Sequence, residues 1–155
     1  MKAPTADRQT RLERGARLRA MRDAAGLSQS QLATSMSSHY NVSQFETGVR
    51  DPGNMTLGKA ARYAHALHMD LDDFARTLLD EQPWPTLRPQ GHETLRTRLA
   101  RLRCTGVRFA EQTGLTPVQV SRYVNGGVNP ARLSLERAML IAKTAQANLS
   151  DLRQW

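Results

Sequence analysis

The sequence predicts an all-α protein that contains two copies of one helical unit. Apolar residues recur at helical spacing through most of the chain, and alternating strand patterns are scarce. A displacement of 78 residues brings similar residues together over the second half of each copy. The matched pairs include Val42 with Val120, Gly48 with Gly126, Pro52 with Pro130 and Leu57 with Leu135. Nearer the start of each copy the displacement is 77, as in the pair Ser28 and Thr105. A single-residue deletion in one copy explains the change from 77 to 78.

The composition favours a polyanionic partner and a reducing compartment. The net charge is +8, from 22 basic and 14 acidic residues, and neutralising phosphates with such charges releases bound counterions. Residues 81–155 carry most of the excess. No apolar run is long enough for a membrane helix, and residues 1–10 lack the apolar core of a secretory signal. With Cys104 as the single cysteine, we expect a soluble cytoplasmic protein without a disulfide.

Prolines divide the chain into two domains. Pro83, Pro85 and Pro89 interrupt the helical pattern, because proline cannot continue a helix and restricts the residue before it. We therefore predict a short, semi-rigid linker over residues 80–92. The remaining boundaries are an N-terminal tail over 1–9, a first domain over 10–79 and a second domain over 93–155.

Each copy presents the same order of physical roles. A hydroxyl residue that can cap a helix comes first, followed five residues later by an alanine where another helix can cross closely. A tight turn, a branched apolar residue, an aromatic residue and a helix-ending glycine follow. These residues are Ser28, Ala33, Val42, Phe45 and Gly48 in the first copy, and Thr105, Ala110, Val120, Tyr123 and Gly126 in the second, where Gly114 lies in the turn. This order is expected of a helix-turn-helix.

Residues 25–52, AGLSQSQLATSMSSHYNVSQFETGVRDP, resemble the phage-repressor and Cro-type (XRE-type) helix-turn-helix family. The stretch from Val107 to Trp155 resembles its shorter Cro-like and YdaS-like branch. The resemblance implies two compact lambda-repressor-like domains, each of which places its third helix in the major groove of DNA. The chain departs from the family pattern in a first turn, Ser37–Ser38, that is one residue short, and in Gly106, which replaces a common glutamine.

Carried over residue by residue, the resemblance implies DNA contacts in both copies. In the first copy they are Gln29, His39, Tyr40, Asn41 and Gln44, with Arg50 on phosphate. In the second they are Thr116, Pro117, Val118, Gln119 and Arg122, with Arg108 and Arg132 on phosphate. Asn and Gln can bond adenine, Arg can bond guanine, and Val can contact a thymine methyl. The alternative for each is ordinary solvated helix surface.

Other polar and aromatic groups have simpler interpretations. The arginines of Arg96–Arg103 are typical of a solvated helix face. Trp84 and Trp155 are candidates for domain docking or dimer contact, and packing against their own domain is favoured over both. The sequence shows no glycine-rich phosphate loop, paired catalytic carboxylates or metal-ligand spacing. We therefore expect no enzymatic activity, no cofactor, no metal and no small-molecule ligand.

The leading hypothesis is a transcriptional regulator, a repressor, that binds double-stranded DNA as a homodimer and reads operator half-sites with two recognition helices. The alternative is an antitoxin-like or adaptor module with a protein partner, in which the shortened first copy serves assembly instead of DNA contact. Structured RNA is a weaker third option, because the aromatic residues occupy core positions and form no stacking platform.

Overall fold

The computed structural model describes residues 6–36 and 39–155, without the side chains of residues 39–41. Over those ranges the chain forms helices and turns and no strand, which confirms the predicted all-α class. The described residues divide into two compact units. The first lies within Met1–Met55 and Lys59–Glu81, and the second consists of Thr56–Gly58 and Gln82–Trp155.

The first unit surrounds a small aromatic core. Its helices are α1 (Arg8–Ala24), α2 (Gln29–Met36), α3 (His39–Glu46), a 3-10 helix (Pro52–Asn54), α4 (Leu57–Ala66, from Lys59 on) and α5 (Leu71–Leu79). The Tyr63 ring stacks on Phe74 with centroids 6.0 Å apart and meets Phe45 edge-on at 6.4 Å. All three side chains are buried, so this cluster joins α3, α4 and α5.

Two buried ion pairs fasten α1 within the first unit. Arg22 Nε donates to Glu46 at 2.8 Å, and Arg14 donates to Asp51 at 3.0 Å. Between these two arginines α1 crosses α3 at Gly15, where a Cβ atom would lie only 2.5 Å from the carbonyl oxygen of Glu46. The glycine therefore permits the close approach that brings the charged pairs together.

The second unit has a mainly aliphatic core. Its helices are α6 (Leu95–Arg101), α7 (Gly106–Thr113), α8 (Pro117–Val124), a 3-10 helix (Pro130–Arg132), α9 (Leu135–Thr144) and α10 (Leu149–Leu152). Phe109, Leu135, Ile141 and Leu149 are among its fully buried side chains. They lie on α7, α9 and α10, and α8 has the fewest buried residues of these four helices.

The prediction that the arginines of Arg96–Arg103 form a solvated face is wrong for Arg98, which is fully buried. Its guanidinium donates to Glu93 at 2.8 Å, to the Gln146 carbonyl at 2.7 Å and to the Leu87 carbonyl at 2.9 Å. A buried arginine is tolerated when its charge is paired and its terminal nitrogens are bonded, as both are here. Arg98 Nε has no hydrogen-bond partner among the described residues. Helical periodicity alone cannot distinguish such an arginine from an exposed one.

Most of the predicted linker packs within the second unit. Trp84 is buried, and its indole N–H donates to the Ala147 carbonyl at 2.9 Å. The Leu87 N–H donates to the Gln146 carbonyl at 2.8 Å. This extended segment thus follows the end of α9, and the favoured packing of Trp84 against its own unit agrees with its position.

The helices recur at the displacements found in the sequence. The bounds of α7 are those of α2 shifted by 77 residues, and the bounds of α8, the second 3-10 helix and α9 are those of α3, the first 3-10 helix and α4 shifted by 78. The step falls in the turn between the paired helices, where the second unit has an additional residue. Gly114 opens that turn with φ +70°, the left-handed conformation that favours glycine.

Candidate nucleic-acid interface

The helix pair α2–α3 begins with the predicted cap. The Ser28 hydroxyl accepts the Gln31 N–H at 3.1 Å, and the Gln31 side chain accepts the Ser28 N–H at 2.8 Å. This reciprocal arrangement satisfies two backbone donors that the first turn of a helix leaves without helical partners. Gln29, the first residue of α2, is exposed at this helix start. It is therefore placed where a side chain or backbone N–H can meet a phosphate.

The inner face of α3 is defined by Val42 and Phe45, which are both buried. On the opposite side Ser43 is exposed, and the predicted contact residue Gln44 is half-buried. The predicted contacts His39, Tyr40 and Asn41 have side chains outside the described part of the chain, as does the whole of the Ser37–Ser38 turn. Gln44 is thus the one predicted α3 contact whose surroundings are described.

Three cations gather beside α3 and form what we call the basic cluster, Arg50, Lys59 and Arg62. The Arg50 guanidinium lies 5.5 Å from the centre of the Phe45 ring, and the Lys59 ammonium lies 5.7 Å from the same centre. Arg62 donates to the Met36 carbonyl at 3.2 Å, at the end of α2. The aromatic ring attracts the first two cations, and the carbonyl at the helix end attracts the third.

The basic cluster changes the acidity of its central lysine. Partial burial lowers the pKa of Lys59, and the neighbouring positive charges of Arg50 and Arg62 lower it further. A depressed lysine pKa means that the protonated form is disfavoured in this surrounding. An anion bound among the three cations would reverse the repulsion, so the cluster is suited to a phosphate group.

The second helix pair begins α8 with a fully formed cap. The Thr116 hydroxyl accepts the Gln119 N–H at 3.2 Å, and the Gln119 side chain accepts the Thr116 N–H at 3.0 Å. Pro117 occupies the first turn, where the missing N–H costs nothing. Thr116 and Gln119, which were predicted to contact DNA, therefore have a structural role that sequence spacing can also identify.

The outward face of α8 carries the other predicted contacts. Val118 is 70% exposed, and Arg122, one helical turn later, is exposed beside it. Arg108 on α7 and Arg132 on the second 3-10 helix are exposed as well. The structure also shows Val107 to be 66% exposed near the start of α7, and this residue was not predicted. Apolar side chains this exposed are suited to contact with thymine methyl groups.

Sequence reasoning did not identify Lys59 and Arg62 as site residues. Both lie on α4, which the sequence marks mainly by its apolar stripe, and they are three residues apart on one face. Their proximity to Arg50 depends on how α4 packs against α3, which spacing does not reveal. A pair of basic residues next to an apolar stripe was the feature that could have indicated them.

The helix-turn-helix domain family matches residues 13–76, from α1 into α5. The match supports a helix-turn-helix assignment for the first unit and suggests a DNA-binding regulator. Neither a curated protein nor a solved structure matches the chain. Among the helices in the described ranges, none combines the length and apolar character needed to cross a membrane.

Proposed function

We propose that the chain is a sequence-specific transcriptional repressor that reads an operator with α3 and α8. The recurrence of the helix pair supports this proposal: α7 and α8 have the same lengths as the matched pair α2 and α3. The second unit then acts as a further helix-turn-helix domain of the Cro-like branch. Its recognition helix presents Val118 and Arg122, where α3 has Tyr40 and Gln44. The DNA site that one chain prefers is therefore not expected to be a palindrome.

Positioning contacts come from cations outside the recognition helices. Arg50 in the basic cluster, with Arg108 and Arg132 in the second unit, would bond phosphates and fix the register of the chain on the duplex. A homodimer would bind further DNA half-sites, spaced about 34 Å apart, which is one turn of DNA. In this proposal the chain acts in the cytoplasm by binding, without catalysing a reaction.

Selection of bound duplexes in vitro with the full chain tests the proposal. A single preferred sequence should emerge, and Arg122→Ala should weaken binding to it by about 1–3 kcal/mol and relax the preference at one base pair. Arg153→Ala, a change of an exposed arginine that directly follows α10, is the matched control and should leave both unchanged. Equal affinity of the unaltered chain for selected and scrambled duplexes would refute specific reading.

A second candidate function is an antitoxin-like or adaptor module in which one unit binds DNA and the other binds protein. The basic cluster favours this candidate with the first unit on DNA, the reverse of the expectation from the sequence, because Val128, Arg137 and Leu140 occupy the positions of the cluster in the second unit. A salt series distinguishes the two functions. Each phosphate contact lowers the affinity for DNA by about 0.9 logarithmic units for each tenfold increase in salt. Two DNA-binding units should therefore give a steeper slope than one, and a protein complex built on apolar contacts should show almost no salt dependence.

A further inference from the structure

The first helix of the second unit is a shortened counterpart of α1. Buried residues of α6 match buried residues of α1 at a displacement of 77. The pairs are Leu18 with Leu95, Met21 with Arg98 and Arg22 with Leu99. Consequently α6 corresponds only to the last turns of α1. The counterparts of Arg8–Arg17 are residues 85–94, which are not helical.

The missing part of the helix has a defined role in the first unit. There, α1 covers the end of α3, with Gly15 against the carbonyl groups of Phe45 and Glu46. One turn earlier, Leu12 lies against Gly48, where an added Cβ would be 3.1 Å from the leucine side chain. As a result Phe45, Glu46 and Gly48 are all buried.

The corresponding end of α8 is only partly covered. Tyr123 and Val124 are half-buried and Gly126 is exposed, although their counterparts in the first unit are buried. They line a groove of about 330 Å³, which Leu95, Arg96 and Trp155 also border. An apolar slot lined in part by Val128, Pro130 and Leu133 shares Leu95, Tyr123 and Trp155 with it. We call this combined surface the α8 groove.

The charge of the α8 groove also differs from that of its counterpart. In the first unit Asp51 accepts Arg14 of the covering helix, and Glu46 adds a second carboxylate. In the second unit these two positions hold Asn129 and Val124, and Arg96 lies at the border of the groove, bonded to Asn125. The charge of the α8 groove is therefore complementary to an acidic covering helix and not to a basic one such as α1.

We propose that the α8 groove binds one amphipathic helix of an acidic partner protein, in the place that the first turns of α1 occupy in the first unit. The helix would carry glycine or alanine where it crosses the end of α8, a large apolar residue facing Tyr123 and Trp155, and a carboxylate facing Arg96. This mode of recognition places the apolar face of a helix in a groove. It does not depend on DNA binding by either unit.

Selection of helical peptides displayed on phage, with the immobilised full chain as target, tests this proposal. Enriched peptides should share a small residue flanked by apolar and acidic residues, and they should shift the amide resonances of Tyr123, Val124 and Gly126. Val124→Glu should weaken the selected peptide by at least about tenfold, because it places a carboxylate in the part of the groove that Arg96 borders, where it competes with the carboxylate of the peptide. Leu140→Glu, the same kind of change at an exposed position on α9, should alter the affinity less than about twofold.

Three outcomes would overturn the proposal. They are the absence of any enriched helical peptide, equal binding of the selected peptide to the Val124→Glu variant, and self-association of the full chain that Val124→Glu abolishes. The last would make a second copy the occupant of the groove. Duplex binding measured on the same variants separates these outcomes from failure of the proposed DNA function.

Discussion

The two units use one helical framework and fasten it differently. In the first, a long α1 reaches across α3, and two arginines on it bond buried carboxylates. In the second, α6 is short, and Arg98 bonds a glutamate that precedes the helix together with three backbone carbonyls. The ion pairs occupy different positions, whereas the apolar residues Leu18 and Leu95 correspond. The apolar pattern thus specifies the framework, and the buried charges determine which flanking segment packs on it.

The largest effect is expected for Arg98→Ala in the second unit. The change removes a fully buried guanidinium and leaves the Glu93 side chain, which is 2% exposed, with Arg101 as its remaining cation. Breaking a buried ion pair in this way costs about 3–5 kcal/mol. Denaturant unfolding followed by unit-resolved hydrogen exchange should show selective loss of the second unit. Arg153→Ala should have almost no effect, and equal stability of the two variants would show that the Arg98 network is dispensable.

A smaller net change in stability is expected when the buried pair Arg22 and Glu46 of the first unit is replaced by its apolar counterparts from the second. Arg22→Leu alone should destabilise by about 3 kcal/mol, because it leaves Glu46 buried without its cation. The double variant Arg22→Leu, Glu46→Val reproduces the pair Leu99 and Val124, and it should recover to within about 1 kcal/mol of the unaltered chain. Within the described part of the chain, Glu46 Oε2 has no hydrogen-bond partner, which favours this recovery. A double variant as unstable as the single one would show that the ion pair itself is required.

The next effect is a difference between the two units in how their stability depends on acidic pH. Hydrogen bonding from Arg98, opposed by burial and helped by Arg101, lowers the pKa of Glu93 from 4.5 to about 2. A carboxylate with a depressed pKa in the folded state stabilises above its unfolded pKa, and that stabilisation is lost as the pH falls towards the folded value. The second unit should therefore lose stability between pH 4.5 and about 2. Glu93→Gln should flatten that dependence, and a pH profile unchanged by this substitution would contradict the assignment.

Sequence reasoning predicted the framework better than the charged groups. Caps at Ser28 and Thr105, and a glycine with positive φ at position 114, follow from local chemistry, so spacing alone located them. The burial of Arg98 and the packing of Trp84 depend on contacts more than forty residues apart in the chain. The basic cluster is missed although Arg50 and Lys59 are close in sequence, because their meeting at the Phe45 ring depends on how α4 packs beside α3. Local periodicity contains no information about such encounters.

The smallest expected effect concerns the difference in DNA-facing charge. Lys59→Gln removes one cation of the basic cluster, and it should weaken binding to all duplexes alike and reduce the logarithmic salt slope by about 0.9 if Lys59 neutralises one phosphate. Arg137 is the counterpart of Lys59 in the second unit, where Val128 and Leu140 replace the other two cations of the cluster. Arg137→Gln should therefore change the salt slope less. Arg19→Gln, on the exposed face of α1, controls for the loss of one charge. An equal change of slope in all three variants would mean that net charge, and not the cluster beside α3, sets the affinity for phosphate.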